Sequence, residues 1–236
     1  PSSCSPSAAR SSVTDVRTAN LALLRAFGFR VAESLPTVRD ERHALRPLDE
    51  IARRFFSLDA VFTWVTATEE EVAETALRAY AERNALESAM TEAERAIFAL
   101  DRASAHRRHS ATIGWRLENM WPLAWVLGFR PEPRADGVMI PSSVILPMFH
   151  EFHPGLGKGV EDLVERGEAR TFSDVDRLED LFYCAHNAAR SIQLGEAPAP
   201  EGFDPIAGTG VIHERRHALT WCLSPGVRWE DTDLST

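Results

Sequence analysis

The segment His213-Glu214-Arg215-Arg216-His217 matches the His-Glu-x-x-His pattern of zinc hydrolases. Positions four apart on a helix share a face, so both imidazoles could hold one zinc while Glu214 activates its water. Glu230, Asp231 or Asp233 in the acidic tail could add a third ligand. Three features oppose this. Arg215 and Arg216 put guanidiniums beside the dication. Val211, Arg215, Ala218, Leu219 and Cys222 form the apolar face, while His213, Arg216, His217 and Thr220 fall largely on another. A pattern with three fixed positions also arises readily by chance. The expectation is no bound metal, no cofactor, no catalytic residue, and at least one of the two histidines exposed to solvent. His150 and His153 read as a surface pair, because no further Cys or His pair follows at finger spacing. His106, Arg107, Arg108 and His109 read as a solvated helix start. No Gly-rich phosphate loop, nucleophile elbow or Cys-x-x-Cys is present.

A second group of residues is polar where apolar ones are expected. Glu118 is spaced to share a face with Gly114, Trp121 and Trp125, and a carboxylate buried there must find a partner or protonate. Arg215 lies on the apolar face of the last helix, which makes it the expected partner, with Arg190 in reserve. His186 and Arg190, four apart, share a face of another helix. Together with Arg116, Glu214 and Trp221 these residues allow two readings. They are a structural ion-pair network that docks three helices, or a polar pocket walled by Trp121, Trp125 and Trp221 for a small anionic or polar ligand.

The elements that must position these groups are helices. Apolar residues at helical spacing run from Val13 to Phe27, closed by Gly28. Phe29 to Val38 reads as extended. Pro47 opens a helix through Phe62, Glu69, Glu70 and Glu71 favour the start of one ending near Arg83, and Thr91 with Glu94 fits a capping box. The tryptophan helix spans about Ala111 to Gly128, with a kink expected at Pro122. Pro131–Pro141 and His153–Lys158 read as loops, and Ser142–Phe152 fits strand or helix. Ser173 with Asp176 caps a helix through Ala189. Gly195–Gly210 is a connection, Val211–Leu223 the last helix, and an acidic tail starts at Trp229. The fold class is mostly α: a single compact multi-helix domain over residues 13–236, with room for a small β hairpin, behind a disordered leader at residues 1–12.

Composition narrows the function classes. The 236 residues carry 26 Lys and Arg against 35 Asp and Glu, a formal net charge of −9. That balance argues against nucleic acid or an anionic membrane as partner, since phosphate neutralisation demands a basic face. No stretch reaches the roughly 18 apolar residues of a membrane span. Cys4, Cys184 and Cys222 are odd in number and irregular in spacing, which suits a reducing cytoplasm.

The segment Trp115-Arg116-x-Glu118-x-x-Trp121-x-x-x-Trp125-x-x-Gly128 resembles the core signature of a bacterial family called domain of unknown function 4272. The ending is similar to that family's too: Glu214-Arg215-x-x-Ala218-Leu219-x-Trp221, followed by Trp229-Glu230-Asp231. So are Leu181, His186 and Arg190 in the middle helix, and Leu35-Pro36 with Glu50-Ile51-Ala52-Arg53-Arg54 near the start. Pro122 and His213 depart from the pattern, which makes the His-Glu-x-x-His match particular to this chain. The family has no established activity, so the resemblance implies fold relatives and leaves function to the residues. The expected function is a cytoplasmic, non-catalytic binding or interaction protein with a protein partner. An immunity-type inhibitor is one concrete form, because acidic surfaces can neutralise basic active sites. The alternatives are a zinc-dependent hydrolase on His213, Glu214 and His217, or a small-ligand sensor with a tryptophan-lined polar pocket.

Overall fold

A computed structural model describes residues 6–36, 44–152 and 159–235. Along them run α1 (Pro6–Ala26), α2 (Leu48–Thr66), α3 (Glu74–Arg83), α4 (Glu92–Phe98) and α5 (Arg102–His109). Then follow α6 (Arg116–Val126), α7 (Ser142–Phe152), α8 (Val160–Val164), α9 (Phe172–Gln193) and α10 (Ala207–Cys222). No strand occurs among the described residues. The mostly α class holds, and no hairpin is seen among the described residues: residues 29–36 join no ladder, and Arg17 of α1 takes the Leu35 and Pro36 carbonyls instead. Helix α1 takes in residues 6–12, which the sequence reads as leader; residues 1–5, Cys4 among them, lie outside the described residues. So do Thr37 and Val38, His153 and the rest of the 153–158 loop.

Two layers meet around α10. It packs on α9 on one side and on α6 on the other, while α1 lies against α9 and α2 against α6, α5 and α8. The α1–α9 contact is clasped by Asp180, which accepts from the Arg17 guanidinium at 2.7 Å and from Asn20 Nδ2 at 2.9 Å. Helix α2 is buried on nearly every side, with Ile51, Phe55, Phe56, Leu58, Val61 and Trp64 all in the core. Its start is fixed from afar, because Arg46 N donates to Cys222 O at the end of α10.

Local chemistry explains most boundaries. Thr91 and Glu94 form the reciprocal capping box of α4. Helices α1 and α6 end alike, at Gly28-Phe29-Arg30 and Gly128-Phe129-Arg130. Each glycine has positive φ, its N–H and that of the following phenylalanine turn back to the last helical turn, and the phenylalanine is buried. Helix α9 begins earlier than expected. Thr171 and Asp174 make its capping box in place of Ser173 and Asp176, since Asp176 is itself buried and Arg170 N is held by Val126 O. The acidic run at Glu69–Glu71 precedes α3; the Glu69 carboxylate reaches forward to accept from Glu74 N. The His106–His109 cluster closes α5 and does not open it. The ambiguous Ser142–Phe152 run is helical throughout, with Pro147 inside it. Pro122 sits inside α6, the tryptophan helix, which starts from a 3-10 turn at Ile113–Trp115. Among the described residues no helix is long and apolar enough to cross a membrane.

Candidate functional site

Glu118 and Arg215 are both 0% exposed and pair at 2.6 Å. One Glu118 oxygen accepts from Arg215 Nε at 2.8 Å; the other accepts from Ile140 N at 2.9 Å. Arg215 also donates to Arg134 O and Val138 O, and its guanidinium lies over the Trp121 ring at 4.6 Å. Trp121 Nε1 donates to Pro131 O. Burial lowers the Arg215 pKa, and the Glu118 carboxylate opposes that shift. The pair therefore joins α6 to α10 and strings the 131–141 loop across both.

The other polar residues go elsewhere. Arg116 reaches Glu94 at 3.5 Å. Glu214 accepts from Asn119 Nδ2 through both its side chain and its carbonyl. His186 is buried, and its Nδ1 must be the acceptor for Arg216 Nη1 at 2.8 Å, because arginine has no lone pair to offer. Burial first, then the Arg216 charge, pushes the His186 pKa down to about 3. Arg190, expected beside it, is exposed and bonds Gln193. Trp125 lies under Arg170, and Trp221 under Arg46. The three tryptophans Trp121, Trp125 and Trp221 thus each serve a different arginine and do not wall one pocket. Helical spacing puts residues on one face, but α10 has a neighbour on each side and divides the group between them.

The His-Glu-x-x-His segment is likewise engaged. His217 donates through Nε2 to Trp229 O at 2.9 Å and packs its ring on the Trp229 indole; His213 packs on His186. Burial lowers the His217 pKa. Among the described residues no three His, Cys, Asp or Glu side chains are grouped to hold a metal ion. The expectation of one solvent-exposed histidine fails: both are half-buried. Arg216 and Thr220, assigned with them to the outer face, are buried against Glu179 of α9. The cause is the C-terminal segment, whose Leu234 and Ser235 carbonyls accept from Arg216 and draw residues 229–235 over α10.

That same segment builds a cleft of about 450 Å³ against α2 and the Ser88–Thr91 turn. Its floor is a double stack. The Arg54 guanidinium lies over Trp229 at 4.1 Å, Arg46 lies over Trp221 at 3.9 Å, and the two indoles meet edge to face at 5.3 Å. Arg46 is pinned by Trp221 O, Ser224 O, Val227 O and Glu50. Arg54, 1% exposed, forks onto Glu94 and donates to Ala89 O. Glu94 is buried, which by itself raises its pKa; the Arg54 charge and hydrogen bonds, with Arg116 behind, hold it below the usual carboxylate range. Two buried donors of this floor, Arg54 Nε and Trp221 Nε1, have no hydrogen-bond partner among the described residues. Of the candidate pocket residues drawn from the sequence, only Trp221 lines the cleft, with Arg116 behind Glu94; Glu50, Arg53, Arg54, Trp229 and Glu230, named there as family motifs or as a possible metal ligand, line it too. Arg54 carried a legible signal: it is a charge on the core face of α2, between Ile51 and Leu58, as Arg215 is on α10. Trp229 carried only the motif of the family's ending, Trp229-Glu230-Asp231.

The sequence model described as domain of unknown function (DUF4272) matches residues 17–232. No curated protein and no solved structure matches the chain.

Proposed function

The chain belongs to the domain of unknown function 4272 family, and from that footing we propose that it is a non-catalytic binding protein with its ligand in the cleft between α2 and the C-terminal segment. The observation that carries this reading is the double Arg–Trp stack, Arg46 on Trp221 and Arg54 on Trp229. Guanidiniums braced on indole faces and pinned by backbone carbonyls are pre-organised, so a ligand meets them without having to order them. A cleft of this volume suits a small molecule. The test is calorimetric and thermal-shift screening of small charged and neutral compounds on the wild type and on Ser88→Phe, which fills the cleft from an exposed position. Ligands that bind the wild type and lose binding in Ser88→Phe support the reading; ligands that bind both equally refute it.

A protein partner, as for an immunity-type inhibitor, is the second reading. Val138, Met139 and Leu146 favour it, being 63%, 50% and 69% exposed around the start of α7 on an acidic chain. Met139→Lys with Leu146→Lys should abolish a co-purifying partner without changing the melting temperature. A partner retained by that variant would exclude this surface.

A further inference from the structure

We infer that the α2 cleft is a site for a small oxyanion of the phosphate class, an inference that rests on the binding reading above. Arg46, Arg53, Arg54, Arg95 and Arg228 line it against two glutamates, Glu50 and Glu230, on a chain whose formal net charge is −9. Four of the five arginines hold a carboxylate, Arg46 that of Glu50, Arg53 that of Asp49, Arg54 that of Glu94 and Arg228 that of Asp231, while Arg95 pairs with none among the described residues. Behind the floor, the single carboxylate of Glu94 serves Arg116 at 3.5 Å as well as Arg54.

The hydrogen-bond inventory points the same way. Arg54 Nε and Trp221 Nε1 are buried donors without acceptors among the described residues, and both belong to side chains lining the cleft. An arginine and an indole offer donors only, so what completes them must bring lone pairs. At the rim, Arg95 spends Nη1 on the Met90 and Glu87 carbonyls and meets no carboxylate among the described residues. Arg53 holds Asp49 at only 3.5 Å. Several donors that converge from different elements fit a ligand with several anionic oxygens, which phosphate groups supply. The net charge of −9 on the whole chain disfavours a long polyanion and favours a small ligand.

The experiment titrates the full chain with inorganic pyrophosphate, citrate and neutral indole, by calorimetry and thermal shift. The variants are Arg53→Gln with Arg95→Gln at the rim, Ser88→Phe to fill the cleft, and Arg166→Gln with Arg177→Gln as a remote control. Pyrophosphate should bind and raise the melting temperature, and the rim variant should bind it about tenfold more weakly, the loss expected from removing charged hydrogen bonds. The rim variant should melt with the wild type, and the control should bind like it. Citrate bound in preference to pyrophosphate overturns the phosphate class. Equal pyrophosphate affinity in the rim variant and the wild type overturns the site. Indole bound in the wild type but not in Ser88→Phe, with no anion bound, refutes the oxyanion inference and leaves the binding reading standing. No probe bound by the wild type at millimolar concentration refutes both.

Discussion

Replacing Glu118 by Ala should be among the most damaging single changes in this chain. The carboxylate is fully buried, and its removal leaves the Arg215 guanidinium, also fully buried, with no counter-charge. It also strips Ile140 N of its acceptor. Arg215 keeps its bonds to Arg134 O and Val138 O, but carbonyl dipoles only partly replace a carboxylate. Breaking a buried pair from one side costs about 3–5 kcal/mol. For a chain of this length that corresponds to a fall in melting temperature of about 6–20 °C, at about 2–4 °C per kcal/mol. Glu118→Gln keeps the shape and one acceptor but loses the charge, and should cost about 2–3 kcal/mol, the range of a charged hydrogen bond. Replacing both partners, Glu118→Leu with Arg215→Met, removes the stranded charge and should lose less than Glu118→Ala alone. The assay is urea denaturation followed by far-ultraviolet circular dichroism, with the slope checked for constancy. A Glu118→Ala loss below about 1 kcal/mol, the worth of a surface pair, would refute the reasoning. So would a double variant whose loss equals the sum of the two singles.

Stability should fall as pH drops from the ordinary histidine range toward about 3, because His186 stays neutral when folded and protonates when unfolded. The limiting slope is about 1.4 kcal/mol per pH unit, and His186→Gln should flatten it; an unchanged slope would exclude His186 as the source. Gly128→Ala should destabilise by about 1–3 kcal/mol, through a positive φ that alanine resists. Its Cβ would also stand 2.9 Å from Glu168 Cβ; a melting curve matching the wild type would contradict this. Burial pushes the Cys184 thiol up to about 12 and raises Cys222 as well, so neither should react with a thiol-disulfide reagent near neutral pH until the chain unfolds. Stoichiometric labelling of either cysteine in the folded protein would show that its burial is wrong.

Where local chemistry decides, the residues could be read directly. Thr91 and Glu94 cap α4 from within one turn, and Gly28 and Gly128 end their helices because few other residues adopt that φ. The Glu118–Arg215 pair was legible for a less local reason: each charge lies on an otherwise apolar face, and burial obliges such charges to meet. Short-range patterns fail where two solutions are locally equivalent. Thr171–Asp174 and Ser173–Asp176 are both capping spacings, and the tie of Arg170 to Val126 chooses between them. The Val144-Ile145-Leu146 run suits strand or helix alike, and becomes helix because a strand has no partner here. His186 and Arg190 share a helical face, but α9 is covered at one and open at the other.

Sequence alone thus determined the mostly α class, the capped start of α4, the glycine stops of α1 and α6 and the existence of one buried ion pair, since each follows from helical periodicity, from interactions within a turn or from the cost of an unpaired charge. Tertiary structure alone decided which polar residues share a site. The cleft joins Arg54 of α2 to Trp229 of the C-terminal segment and sets Trp221 edge-on against Trp229. The same fold-back half-buries His217, which the helical pattern assigned to solvent. No periodicity relates residues so distant along the chain; they meet because the C-terminal segment is drawn back over α10 by the Arg216 and His217 hydrogen bonds. That is a packing outcome with no local signature.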